Sequence, residues 1–212
     1  MSDIEKFLKS KRINSTYLNY YKNSLNYNYG GEQHVDVFTK LFDDRILMLT
    51  GDVDDYICDL IKAQLLYLES ESKEDITIYI NSGGGSVYSG LGLLDVMDFV
   101  RPDIITVNTG LAASMAAVIL CSGTKGKRKA LKRSRTMIHQ PMSYASGYSQ
   151  ASDMELDTKE ILSLKKELYE IISENSGQTY DKVSKDSDRD YWMSASDAKT
   201  YGILDEIIIK RK

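Results

Sequence analysis

The chain has 212 residues, of which 42% are hydrophobic and 27% charged, with a formal net charge of −4; this is the make-up of an ordinary soluble globular protein with one full core. A negative balance gives no general attraction to nucleic acid, so partners must be recognised by local features. The opening MSDIEKFLKSKR carries acidic residues and no continuous apolar run, and no stretch elsewhere approaches the roughly 18 apolar residues of a membrane span, so a cytoplasmic protein is expected.

Residues 14–30, NSTYLNYYKNSLNYNYG, hold five asparagines and five tyrosines without a helical or alternating apolar period. Residues 1–30 are therefore expected to form an N-terminal arm, flexible or removed by processing, ahead of a single domain over 31–212. The pattern then becomes regular, with a short apolar strand at 45–50, a helical run over 54–69 and an alternating strand, ITIYIN, at 76–81. SGGGSVYSGLGLLDVMDFV reads as a glycine-rich turn into a helix, DIITVN as a strand, GLAASMAAVIL as a turn into a helix, and SRTMIHQP as a short strand stopped by Pro141. Strands alternating with helices indicate an α/β fold, in which sites lie where strands hand over to helices.

A long helix is expected over 151–175, with Met154, Ile161, Leu164, Leu168 and Ile171 or Ile172 forming one apolar stripe that either covers the core or lies in a subunit interface. In SASDAKTYGILDEIIIK, Ser194 or Ser196 caps a short helix, Gly202 ends it, and a last strand follows. Cys58 and Cys121 sit in apolar contexts without C-x-x-C spacing, which reads as buried free thiols rather than a disulfide or metal site. The basic run KGKRKALKRSR has seven Lys or Arg within 125–135 but no interleaved aromatic residues, so it reads as a solvated connection with interface ion pairs rather than a nucleic-acid surface.

The chemistry centres on Ser114, a lone hydroxyl where a helix begins among Ala112, Ala113, Ala116 and Ala117. Unpaired N–H groups at a helix start favour an oxyanion, and the small neighbours admit a substrate backbone, although a serine there also serves as a simple cap. A serine nucleophile needs a base. His34 precedes the regular pattern, whereas His139 ends the strand TMIHQP. A carboxylate should orient the imidazole, and KDSDRDYWMSA offers Asp186, Asp188 and Asp190 without choosing among them. The glycines of NSGGGSVYSG match neither G-x-x-x-x-G-K-[ST] nor G-x-G-x-x-G, and fit a second oxyanion donor better than a phosphate loop.

YINSGGGSVYSGLGLLDVMDFVRPD, GLAASMAAVIL, GKR, SRTMIHQPM, QASDMEL and DSDRDYWMSASDAKTYGILDEI, collinear over about 36–210, resemble the proteolytic subunits of the Clp protease, the last block especially in its Bacteroidetes form. The resemblance implies a crotonase-like α/β fold of repeated β-β-α units with a protruding strand-helix handle. It implies Ser114 as nucleophile, His139 as base, Asp190 as acid, and the N–H groups of Gly85 and Met115 as oxyanion donors. It further implies two stacked seven-membered rings joined through the long helix, with Asp188 and Arg189 in contacts between rings. Unfolded polypeptides would be fed by a hexameric AAA+ ATPase docking near Tyr79; that partner uses the ATP, and this chain holds no cofactor or metal. The sequence departs from the family pattern at Gly83, which stands in place of proline. It departs again at Ser143 and Tyr144, which replace a Gly-Gly pair, and in the segment 143–148, which is two residues longer. CoA-binding crotonases share the implied fold but leave the Ser114 and His139 pair unexplained, and an inactive ring homologue is disfavoured because all three members are present.

Overall fold

The computed structural model describes residues 37–142 and 150–210; the arm expected at 1–30, His34 and the departure at 143–148 lie outside the described residues. The described residues fall into two units, 37–45 and from 46 onward. In the first, helix α1 (Val37–Asp43) ends in a turn where Asp44 N donates to Lys40 O at 3.1 Å and Arg45 takes φ 60°.

The second unit is built on a seven-stranded sheet: β1 (Ile46–Val53), β2 (Ile76–Gly85), β3 (Ile104–Ala113), β4 (Arg128–Leu131), β5 (Arg135–Ile138), β6 (Tyr191–Ser194) and β7 (Glu206–Ile208). The main path runs β1-β2-β3-β4-β7, all parallel, while β5 pairs with β3 and β6 lies antiparallel to β5. Leu47 and Leu49 of β1, and Ile76, Ile78 and Ile80 of β2, are buried at alternate positions, the period of a strand with one face against a core.

Helix α2 (Asp55–Glu71) starts where the Asp54 side chain accepts from Ile57 N at 2.9 Å. It buries Cys58, Ile61, Leu65 and Leu68, spaced three or four apart. Helix α3 (Val87–Phe99) is capped by Ser86, and α4 (Met115–Cys121) is buried along its whole length. Cys58 and Cys121 are free and buried, as expected; burial pushes their thiols up to about 11 and about 12.

Helix α5 (Ala151–Ser176) has the expected extent, but the expected stripe is only partly used. Leu168, Tyr169 and Ile172 are buried, whereas Met154, Leu156 and Leu162 in the N-terminal part are exposed within the chain. Gly177 closes it at φ 74°. Helix α6 (Tyr180–Asp186) and strand β6, neither expected from the sequence, occupy the acidic stretch before the last helix, α7 (Ala195–Tyr201). Ser194, rather than Ser196, caps α7 in a capping box with Asp197, and Gly202 ends it.

Two readings of the sequence are corrected. The glycines Gly83–Gly85 do not form a turn but prolong β2, with Gly84 and Gly85 opposite Asp52 and Val53 of β1. The basic run is not simply a solvated connection, since it contains β4 and three of its seven charges pair within the chain. Lys127 reaches Asp75 at 2.6 Å and Asp103 at 2.7 Å, and Lys129 reaches Glu206 at 3.0 Å. Arg128, only 3% exposed, holds Asp205 through Nη2 at 2.6 Å and Nε at 2.9 Å, and its Nη1 donates to the carbonyls of Cys121 and Asn175. One guanidinium thus ties β4 to the ends of α4 and α5 and to the approach to β7.

Candidate active site

The site forms where β3 changes partner. Its first half pairs with β4 through Thr106–Asn108, and its second half pairs with β5 through Leu111–Ala113. Between them the register with β2 jumps: Ile80 faces Asn108 but Ser82 faces Ala112, so β3 carries two extra residues there. Side chains satisfy the disturbed backbone. Asn81 Oδ1 accepts from Leu111 N, Asn108 Oδ1 accepts from Gly110 N, and Thr109 Oγ1 donates to Ile80 O, each at 3.1 Å. A Cβ at Gly110 would lie 2.7 Å from Asn81 Oδ1, so any larger residue there must push Asn81 aside. The sequence reading of GLAA as a turn into the helix is corrected, since Gly110–Ala113 continue β3 up to Ser114; Asn81, Asn108 and Thr109 were not singled out, although a glycine after N-T inside a strand pattern is a bulge signal.

Strand pairing then sets three positions side by side. The parallel offset that puts Ala113 opposite Met137 brings Ser114, next on β3, to the end of β5, and Ser114 N donates to Met137 O at 2.9 Å. The antiparallel register that puts Ile138 opposite Tyr191 makes His139 and Asp190 the next facing pair. Ser114 and His139 thus follow directly on the ends of β3 and β5, and Asp190 directly precedes the start of the neighbouring β6.

Their side chains meet accordingly. His139 Nε2 and Ser114 Oγ are 2.7 Å apart, a full hydrogen bond. His139 Nδ1 and Asp190 Oδ1 are 3.5 Å apart, an ion-pair distance longer than a hydrogen bond, and the Asp190 side chain is 61% exposed while that of His139 is 12% exposed. Asp186 points elsewhere, to Lys182 Nζ at 2.5 Å. The choice among the three carboxylates therefore has a geometric reason in the β5-β6 register.

Ser114 sits at φ 55°, ψ −129°, a strained junction between strand and helix, and its hydroxyl makes no capping bond. Its carbonyl accepts from Ala117 N and Val118 N, so the side chain is free to face His139.

The glycine segment of β2 presses on this junction. A Cβ on Gly84 (φ 94°) would lie 2.6 Å from both Ala113 O and Ser114 Cβ and 3.0 Å from Met115 N. Gly84 N donates to the buried Ser82 Oγ at 3.1 Å, and Gly85, the expected oxyanion donor, stands opposite Val53 at the end of the β1–β2 ladder. A side chain on Gly85 (φ 155°) would run into Val53 O. Met115 is buried and its side chain fills the space over Gly90 of α3. At Gly83, the position that departs from the family pattern, a Cβ meets nothing within 4 Å.

The remaining expected site residues lie apart. Asp188 and Arg189 are exposed in the connection from α6 to β6, and Tyr79 is half-buried on β2, between Met48 of β1 and Val107 of β3 in register. Among the described residues no group of three or more His, Cys, Asp or Glu is arranged to hold a metal, and no helix is long and apolar enough to cross a membrane.

The family model of the Clp protease matches residues 29–211. Similar proteins include the ATP-dependent Clp protease proteolytic subunit of Bacteroides fragilis, 57% identical over 178 residues that cover 84% of this chain and 85% of that one. Those of Bacteroides thetaiotaomicron and Porphyromonas gingivalis are 57% and 54% identical, covering 84% of this chain and 80% of each relative. A match over nearly the whole chain, with relatives more than half identical, places this protein: the chain belongs to the Clp protease family.

Proposed function

We propose that this chain, a serine-type peptidase of the Clp protease family, cleaves unfolded polypeptides by a Ser114–His139–Asp190 triad inside a chamber formed by two stacked seven-membered rings. The observation that carries the reading is the 2.7 Å contact between His139 Nε2 and a serine hydroxyl that no cap competes for. As Ser114 Oγ attacks the scissile carbonyl carbon, His139 Nε2 takes its proton, and Asp190 faces Nδ1 to stabilise the imidazolium. The carbonyl oxygen, now negative, is received by the N–H groups of Gly85 and Met115. The imidazolium then protonates the leaving amine, and water, deprotonated by the same imidazole, releases the acyl group from Ser114.

The exposed Met154, Leu156 and Leu162 on α5 support burial of that helix against another subunit, with Asp188 and Arg189 contributing between rings. Substrate is delivered by a hexameric AAA+ ATPase of the Clp system docking near Tyr79, which hydrolyses the ATP; this chain uses no cofactor or metal, binds no nucleic acid or membrane, and works in the cytoplasm. As to nucleic acid, three of the seven charges of the basic run, Lys127, Arg128 and Lys129, are spent on Asp75, Asp103, Asp205 and Glu206 of the same chain, which supports this reading.

The test is Ser114→Ala, with a fluorophosphonate probe and a short fluorogenic peptide. Wild-type protein should be labelled on Ser114 alone, and the variant should assemble but lose about 10⁴-fold or more in turnover. Full activity in the variant would end the serine mechanism.

A further inference from the structure

We propose that Gln140 is a positioning residue of the peptidase, its side-chain amide holding the loop that carries Asp190 at the right height for His139; the inference rests on the triad reading. Asp190 is poorly fixed by its own contacts, being largely exposed and 3.5 Å from the imidazole. Its place is set by the connection from Ser187 to Asp190, and two side-chain donors grip that connection. Gln140 Nε2 donates to Asp188 O at 2.8 Å, and Tyr169 Oη donates to Ser187 O at 3.3 Å.

Gln140 follows His139 directly, so this bond fastens the acid's loop to the base's own backbone. The amide cannot turn over. Its Oε1 accepts from Lys165 Nζ at 3.1 Å, and because an ammonium only donates and a carbonyl only accepts, the two partners fix which end of the amide faces which. Lys165 and Tyr169 lie one turn apart on α5, with Lys165 Nζ 5.6 Å from the Tyr169 ring centre. One turn of α5 thus holds both clips, and the spacing of His139 and Asp190 is referred to that helix rather than to solvent-exposed side chains.

The isosteric change Gln140→Glu is the sharpest perturbation. It keeps an oxygen for Lys165 and the shape of the side chain, but it places a second oxygen, with no proton to donate, against Asp188 O. Displacing a catalytic group by about 1 Å costs on the order of 10²-fold, so kcat for a short fluorogenic peptide should fall by about that factor in Gln140→Glu and Gln140→Ala, with KM within about twofold. The full-length protein is used, with particle size and thermal midpoint measured for each variant.

The decisive measurement is the combination with Asp190→Asn. If Gln140 acts through Asp190, Gln140→Ala should cost nothing further in that background, because the group it positions is already disabled. Equal fold losses from Gln140→Ala in the wild-type and Asp190→Asn backgrounds, or unchanged kcat in Gln140→Glu, overturn the proposal while leaving the triad standing. Unchanged kcat in Asp190→Asn itself overturns the triad reading and this inference with it.

Discussion

Gly84 gives the most direct check on how β2 and the serine junction fit together. Replacing it with alanine places a Cβ 2.6 Å from Ala113 O and from Ser114 Cβ. Carbon atoms rest at about 3.5–4.0 Å, so roughly 1 Å must be found between two strands at a point where neither obstacle is the free end of a side chain. The φ of 94° adds backbone strain of about 1–3 kcal/mol for any residue with a Cβ. Ser114 is the atom group that yields, since it stands at the strand end while Gly84 is paired to β1. Gly84→Ala should therefore lose about 10²-fold in kcat and about 1–3 kcal/mol in stability. Gly83→Ala, one residue earlier, meets nothing within 4 Å and has no positive φ, so it should keep its activity and gain about 0.4–1 kcal/mol from a stiffer unfolded chain. Peptide hydrolysis and denaturant midpoints on the two variants make the comparison. Equal behaviour of Gly83→Ala and Gly84→Ala would refute the packing argument.

At the β3 irregularity, Gly110→Ala should cost about 1–2 kcal/mol by pushing Asn81 off Leu111 N, and adding Asn81→Ala should cost little more; additive losses in denaturant melts would disprove the shared bond. Arg128→Ala should destabilise by about 3 kcal/mol in the same assay, since it removes the guanidinium bonds to Asp205 and to the carbonyls of Cys121 and Asn175 and leaves the Asp205 carboxylate only the backbone N–H groups of Gly126 and residue 128. Burial pushes the Asp205 carboxyl up, but the Arg128 hydrogen bonds and charge outweigh it and hold it below its usual range. That stabilisation is present above the ordinary carboxylate pKa of about 4 and is lost as pH falls through the lower native value, so Arg128→Ala should flatten the acid limb of the stability curve. With both thiols buried and their pKa values raised, neither Cys58 nor Cys121 should react with a thiol reagent at pH 8 until the protein unfolds; rapid labelling of native protein would contradict the packing of α2 and α4.

The parts of the fold legible in the sequence are those where apolar runs, periodicity and local caps agree: β1, α2, the start of β2, α3, the first half of β3, α4, β5, α5, α7 and β7. The strands β4 and β6 were not, because neither has an apolar run like the Met137–Ile138 of β5: β4 combines Arg and Lys with small or apolar residues, and β6 exposes Tyr191 and Trp192. Arg128 reads as surface until Asp205 is brought beside it from across the chain, and Trp192 and Tyr191 are exposed on β6. The glycines of β2 read as a turn because glycine marks turns locally; only the packing of Ser114 and Val53 against Gly84 and Gly85 shows why a strand needs them. Ser114 and His139 were legible as a pair at strand ends. The choice of Asp190 over Asp186 and Asp188 was not legible from residue pattern, since it depends on the register of β5 with a strand that the pattern does not reveal.

That register also explains why Asp190 needs support from outside its strand. Ser114 is tied down by Ser114 N to Met137 O and by α4 behind it, and His139 by the buried β5 before it. Asp190 has only the first residue of β6 after it, Tyr191, and an exposed connection before it. A one-residue slip of β6 on β5 would put Arg189 or Tyr191 opposite the imidazole and turn the strand's other face to the core. Met193, the buried residue of β6 at 1% exposure, resists such a slip from one side. From the other, the grips of Gln140 and Tyr169 hold the loop. Ser114 and His139 are thus fixed by the sheet, while Asp190 is fixed by a short strand and by α5; on the proposed triad, movement of α5 should reach Asp190 before Ser114 or His139.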